Sequence, residues 1–301
     1  MIYREYSKFL VETFGEKVYK LPIKLNLTCP NRDGTCGVGG CIFCGEEGGS
    51  FENNEGSISE QLLKDQEKIK KRYKANKYIA YFQNFTNTYL DFDKFKDNIN
   101  ECLIDDIVGI SISTRPDCLE DKYLDFLEEI NKSRMITLEV GLQSANYHTL
   151  KKINRGHGLA EFIDASIRAH KRGLRVCAHI ILNLPWDNED DVIETAHILN
   201  ALGIEEVKLH ALYIVEGTKL AQMYKKSEIE IISLEEYKER VILFLQHLNK
   251  DVVVQRIIGR APEENSLFCN WNTSWWKIRD DIVSKMEEEN LYQGQYNERI
   301  D

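Results

Sequence analysis

Four of the eight cysteines, Cys29, Cys36, Cys41 and Cys44, stand together in the run Cys29-Pro-Asn-Arg-Asp-Gly-Thr-Cys36-Gly-Val-Gly-Gly-Cys41-Ile-Phe-Cys44. Thiolates are soft ligands, suited to zinc or to iron–sulfur clusters. The glycines let the backbone wrap closely round such a centre and turn N–H groups toward its sulfurs. Two chemistries fit. All four thiols can close round a structural Zn²⁺ or a closed cluster, which leaves no position for a reactant. Alternatively, three can hold a [4Fe–4S] cluster and leave one iron open. Cys102, Cys118, Cys177 and Cys269 are scattered, and a disulfide framework is not expected in so large a chain. Cys177, within the apolar run 176–182, reads as a small buried hydrophobe.

What must position these thiols is a strand–helix alternation. Apolar, β-rich runs predict strands at Ile23–Thr28, Tyr78–Asn84, Ile107–Thr114, Ile136–Leu142, Arg175–Asn183 and Glu206–Leu212. Helical patterns lie between them at Ser59–Tyr73, Phe92–Cys102, Glu120–Asn131, Leu159–Arg172 and Glu189–Leu202. Gly173 and Gly203 follow the last two as C-cap glycines. Six such units imply parallel strands joined by right-handed crossovers, buried on both faces. The expected fold is α/β, a partial (β/α)6 TIM-like barrel with a C-terminal α/β extension. Reactive groups in such barrels gather at the C-terminal ends of the strands. Cys29, Asn84, Arg115, Gln143, Asn183 and Tyr213 all fall there. That location favours the open cluster, since a structural zinc knuckle has no need of it.

The Cys-x11-Cys-x2-Cys spacing, set in Thr28-Cys29-Pro30-Asn31-Arg32-Asp33-Gly34 and Gly39-Gly40-Cys41-Ile42-Phe43-Cys44, resembles the signature of the radical S-adenosylmethionine (SAM) superfamily. The form is that of the small proteins related to the elongator catalytic subunit, the YhcC-like branch. The resemblance implies a [4Fe–4S] cluster on Cys29, Cys41 and Cys44, with SAM on the fourth iron and Phe43 near the adenine. Cys36 departs from the pattern and is expected to be a bystander thiol.

Further matches run to about residue 225. Ile112-Ser113-Thr114-Arg115-Pro116-Asp117 resembles the third-strand end of related branches, with Ser113 where those carry Glu. Glu139, a lone charge in an apolar strand, is expected to take over the ribose contact. A buried carboxylate costs several kcal/mol unless something pairs it, and an ion pair is its plainer role. Gln143 and Arg155, in Gly141-Leu142-Gln143-Ser144 and Asn154-Arg155-Gly156-His157, are implied SAM contacts. Arg suits the carboxylate because its planar fork gives two parallel hydrogen bonds. Gln83 and Asn87 stand where relatives meet the SAM amino group. His179 stands where a polar residue approaches the ribose. Val207-Lys208-Leu209-His210 and Gly217-Thr218-Lys219-Leu220 match the sixth strand and its loop.

The resemblance implies one-electron cleavage of SAM to a 5′-deoxyadenosyl radical that takes hydrogen from a substrate. It also implies an external electron donor of flavodoxin or ferredoxin type. A tRNA wobble-uridine side chain is the candidate substrate, a small metabolite the alternative, and a zinc or iron–sulfur module without turnover the reading from a different class. With 43% hydrophobic and 29% charged residues, the chain reads as globular. The net charge of −10 argues against a broadly basic nucleic-acid surface, although Lys68, Lys70, Lys71, Arg72, Lys74 and Lys77 cluster locally. Neither a signal-peptide pattern nor a run of roughly 18 apolar residues occurs, so a cytoplasmic protein without membrane contact is expected.

Residues 1–225 are expected to form the core barrel, with the cluster loop at 29–44, and residues 226–301 an extension capping it. That extension reads as a helix at Leu234–His247, a strand at Val252–Ile258 and a helix at Ser274–Glu289, with Trp271, Trp275 and Trp276 packing over the barrel end. The polar tail from Tyr292 is expected to fray.

Overall fold

The computed structural model describes residues 2–45, 56–261 and 264–297. After helix α1 (Tyr6–Phe14), strands β1 (Val18–Ile23), β2 (Lys77–Phe82), β3 (Ile107–Thr114), β4 (Met135–Gln143), β5 (Arg175–Ile181) and β6 (Glu206–His210) alternate with helices. These are α2 (Ile58–Tyr73), α3 (Phe92–Asn100), α4 (Asp121–Asn131), α5 (Tyr147–Lys152), α6 (Leu159–His170) and α7 (Glu189–Leu202). A short strand β7 (Ile214–Val215), helices α8 (Lys219–Lys225) and α9 (Leu234–His247), strands β8 (Val253–Arg256) and β9 (Ser266–Phe268), and helix α10 (Trp275–Glu288) complete the chain. The main sheet has seven strands in the order β1-β2-β3-β4-β5-β6-β8, every neighbouring pair parallel. β7 and β9 form a separate antiparallel pair.

The central strands are buried on both faces because helices cover one side and the barrel interior the other. Helix starts are fixed by side chains that accept the orphan N–H groups. Ser57 and Asn188 do so in capping boxes, and Asp91 and Ser233 as simple caps. Gly203 ends α7 in the left-handed conformation.

The main sheet differs from the sequence reading at its two edges. The first strand lies at Val18–Ile23 rather than Ile23–Thr28. Beyond Ile23 two side-chain amides replace the neighbouring strand. Gln61 bonds both backbone groups of Lys24 (2.9 and 3.0 Å), and Asn84 bonds both of Leu25 (3.1 and 2.6 Å). The apolar pattern continues there, but the ladder does not. The second difference is a seventh strand. β8, in the segment expected to cap the barrel, joins β6 in the main sheet.

The sheet curls until its edges meet. Lys20 on β1 donates to Gln255 on β8 at 2.9 Å, and Arg4 O accepts from Val254 N at 2.8 Å. The tail also departs from expectation. Gln293 is buried, donates to Asn249 O (2.7 Å) and Val252 O (2.8 Å), and accepts from Arg4 N. Residues 298–301 lie outside the described residues. Of the three tryptophans, Trp271 packs on Tyr237 and Phe268, whereas Trp275 and Trp276 at the start of α10 are exposed.

Candidate active site

A cavity of about 400 Å³ opens at the C-terminal ends of the strands, lined from every strand of the main sheet except β1 and by the loop that follows β1. Cys29, Cys41 and Cys44 line it, and Cys36 does not. The loop holding them folds on Asn31. Its carbonyl accepts from Gly40 N (2.8 Å), and its amide donates to Asn154 O (2.7 Å) and to the Cys41 sulfur (3.7 Å). Gly39 and Gly40 both adopt positive φ (81° and 74°), which a side chain resists. At Gly37 a Cβ would fall 2.1 Å from the Asn31 amide oxygen, so that position has no room for one.

Donors surround the three thiols. Arg155 approaches Cys41 at 3.6 Å, Arg32 approaches Cys44 at 3.0 Å, and the Thr86 hydroxyl approaches Cys29 at 3.9 Å. Burial pushes the Cys44 thiol up against the pull of Arg32, so a metal must displace its proton. Three sulfurs with cationic and N–H donors, open on the cavity side, fit a cluster that keeps one site for a ligand. They do not form a closed four-thiol set, because Cys36 is exposed and lies instead by Cys118 and Asp117.

Gln143 and Arg155 come together at the end of β4. A bulge against β5 falls between Gly141 and Gln143, and Gln143 sits at φ 78°. Such strain at a strand end re-aims a side chain. The Gln143 amide lines the cavity beside Arg155, which donates to Gly141 O at 3.0 Å. A Cβ at Gly141 would lie 2.5 Å from Arg155 Nη2 and 2.7 Å from Gln143 Nε2. Gly141→Ala is therefore expected to move both side chains and weaken SAM binding about tenfold, ~1.4 kcal/mol, with an unchanged far-ultraviolet circular dichroism spectrum. Equilibrium binding of labelled SAM to reconstituted protein measures this.

Phe43, Gln83, Ser113, Glu139 and His179 also line the cavity. Phe43 packs at the same time on the apolar cluster of Ile42, Leu212 and Leu220. The Ser113 hydroxyl reaches Tyr81 at 3.3 Å. Asn87 does not line the cavity. It is buried, and its Nδ2 donates to the carbonyls of Phe82, Asn84 and Ser113 (2.9–3.2 Å), where it ties the ends of β2 and β3 together, while its Oδ1 is buried without a partner.

Glu139 needs a correction. Its Oε1 accepts from Lys20 and from Gln255 (3.2 Å), and its Oε2 accepts from Lys208 (2.7 Å) and His179 (2.7 Å). A carboxylate has about four lone-pair sites, and these partners fill them. Glu139 anchors an ionic floor beneath the cavity and has no acceptor left for a ribose. Burial alone would raise its carboxyl, but Lys20 and Lys208, with His179, hold it well below the usual range. The plainer ion-pair role is what the geometry gives.

His179 is held neutral. Burial, with Lys208 and Arg256, lowers it from 6.5 to about 4 despite the bond to Glu139. Below pH 6.5 the unfolded chain takes up a proton that the folded chain refuses until about 4. Stability is thus fully present above that window and falls as pH drops through it, by at most ~3 kcal/mol for this group. His157, lowered to about 2 by burial and by Arg155 and Arg115, adds to the same slope. His179→Gln is expected to flatten part of the decline in denaturant-unfolding free energy between those pH values.

Sequence reasoning missed Lys20 and Arg256, and placed Tyr81 and Lys208 only within the matches at the ends of the second and sixth strands, with no role of their own. The signal was present for the lysines, since a Lys within Val207-Lys208-Leu209 is as anomalous as Glu139. The Lys-rich run serves another place. It occupies the last turns of α2 and the start of β2, hence the opposite end of the barrel from the cavity.

The family model of the Radical SAM superfamily matches residues 31–199, and that of the Radical_SAM C-terminal domain matches residues 204–288. The chain belongs to the radical SAM superfamily. It is 35% identical to Bacillus subtilis YtqA, over 99% of this chain and 94% of that one. It is 34% identical to Escherichia coli YhcC, over 89% and 86%. The archaeal Methanocaldococcus infernus Elp3, with an N-terminal deletion, shares the fold at TM-score 0.69 and 19% identity, covering 92% of this chain and 64% of that one. Together the two family models cover the main sheet from β2 to β8. Among the described residues no helix is long and apolar enough to cross a membrane.

Proposed function

We propose that the chain reductively cleaves SAM and uses the product to take a hydrogen atom from a substrate bound in the same cavity. Cys29, Cys41 and Cys44 would hold a [4Fe–4S] cluster, and Gln143 and Arg155 would hold SAM. When bound, the cluster and SAM would supply the radical chemistry, a one-electron reduction that breaks a C–S bond of SAM to give methionine and a 5′-deoxyadenosyl radical. The chain's own residues do the rest. Arg155 orients a carboxylate next to Cys41, and Gly141 keeps room for it. The Glu139 floor fixes His179 and Lys208 beneath the cavity.

The observation that carries this reading is the three-thiol set, ringed by Arg32, Asn31, Thr86 and Arg155 and open to the cavity, with Cys36 outside it. A zinc module without turnover would need neither the cavity nor the Arg155 cradle. The electron donor we propose is an external protein of flavodoxin or ferredoxin type, and the compartment the reducing cytoplasm. For substrate, we favour a small molecule over a tRNA wobble uridine, because the basic run on α2 lies away from the cavity mouth. Anaerobic incubation of reconstituted protein with SAM and dithionite, with and without bulk tRNA, tests this. Release of 5′-deoxyadenosine is expected. Its absence from fully reconstituted protein overturns the reading, and tRNA-dependent release with altered nucleosides would replace the small molecule by RNA.

A further inference from the structure

We propose that the substrate carries an oxyanion, a carboxylate or a phosphate, received by Arg256 and His210 on the β6–β8 side of the cavity. This rests on the reading above, in which Cys29, Cys41 and Cys44 hold the cluster and Gln143 and Arg155, at and after the end of β4, hold SAM.

The other cations that line the cavity each face a group of opposite or potentially opposite charge. Arg115 pairs with Asp117 (2.6 Å) and Lys208 with Glu139 (2.7 Å), while Arg32 and Arg155 face the Cys44 and Cys41 sulfurs. Arg256 has no acidic partner among the described residues. It donates to His210 Nδ1 at 2.8 Å, and its buried Nε has no partner. The residue is half-buried, its Nε is shut off from solvent without a partner, and a planar guanidinium suits an oxyanion because it can give two parallel hydrogen bonds. The same Arg256 nitrogen lies 3.5 Å from His210 Nε2; in the tautomer whose Nδ1 accepts from Arg256, Nε2 carries the proton, on a ring that also lines the cavity. Burial, Arg256, His179 and Lys208 hold that ring neutral.

Two independent features are built around this arginine. Val207 pairs with Val254 but Lys208 with Arg256, so one extra residue, Gln255, is inserted in β8. The insertion breaks strand alternation. Consecutive side chains then face inward, Gln255 to Glu139 and Lys20, and Arg256 to the cavity. Gly259, whose φ lies outside the left-handed range, is a glycine for room alone. A Cβ there would meet Arg256 Cζ at 2.7 Å and Nη2 at 2.9 Å. Because those atoms end a flexible side chain, Gly259→Ala displaces the guanidinium without unfolding the sheet.

Calorimetric titration of the full-length reconstituted protein with inorganic phosphate, uridine 5′-monophosphate and succinate, with SAM present and absent, tests the site. At least one probe is expected to bind. Affinity falls tenfold or more in both Arg256→Gln and Gly259→Ala, and Arg256→Lys restores part of it. Preference for phosphate or the nucleotide assigns a phosphate, and preference for succinate a carboxylate. If no probe binds the wild type, or if each binds R256Q and G259A as well as the wild type, the proposal is overturned. Binding that needs Arg256 in a protein that never releases 5′-deoxyadenosine keeps the anion site and removes the function proposed above. Cleavage without such binding does the reverse.

Discussion

Cys29→Ala is expected to leave a folded chain that takes up no [4Fe–4S] cluster and releases no detectable 5′-deoxyadenosine. Cys29 follows the first strand, and its carbonyl begins the turn that accepts from Arg32 N at 2.8 Å. That turn depends on backbone and on Asn31, so losing one sulfur should not unfold it. The three-thiol set tolerates no deletion, because a cluster held by two thiolates is exposed to solvent and loses iron. Cys36→Ala is the informative companion. Its sulfur lies outside the cavity, so it should keep full cluster absorbance. Iron and sulfide content with visible absorbance, measured on both variants after anaerobic reconstitution, decides the matter. Equal cluster loss in both variants would mean that Cys36 is a ligand and that the three-thiol assignment is wrong.

Glu139→Ala should be strongly destabilising. The side chain is fully buried between Lys20 and Lys208. Removing it strands two lysines, with side chains 16% and 8% exposed, in an interior with little water to solvate them. Breaking a buried pair by deleting one partner costs ~3–5 kcal/mol. At ~2–4 °C per kcal/mol for a chain of this size, the melting temperature should fall by roughly ten degrees. Adding Lys208→Met to Glu139→Ala should recover part of the loss, since one stranded charge goes with it. Thermal unfolding of the cluster-free protein measures both variants. A drop of only a degree or so in Glu139→Ala would show that the floor is well solvated and that the ion-pair assignment fails.

Much of this site could be read from the sequence because it is local. The Cys29–Cys44 loop, Gln143 with Arg155 and the inner strands β2–β6 are each specified by neighbours in the chain. What escaped depended on distant residues. The first strand was placed too late because the partners of Lys24 and Leu25 are Gln61 and Asn84, which no periodicity in 23–28 announces. Glu139 stood out as a lone charge, but Lys20 lies 119 positions away and Lys208 lies 69, so its saturation was invisible. Asn87 reads in the sequence as an acceptor, whereas its nitrogen clamps three carbonyls contributed by two strand ends. Arg256 escaped because a one-residue insertion in β8 turns it inward, and alternation alone would have paired it with the opposite face from Gln255.

Three thiolates at the mouth of the barrel would leave one iron of the cluster open to SAM. Electron paramagnetic resonance of the anaerobically reconstituted, dithionite-reduced protein, recorded before and after adding SAM, tests it most directly. About four irons and four sulfides per chain are expected, with a reduced-cluster signal that changes shape when SAM binds. A single zinc per chain, or a reduced-cluster signal that SAM leaves untouched, would contradict it.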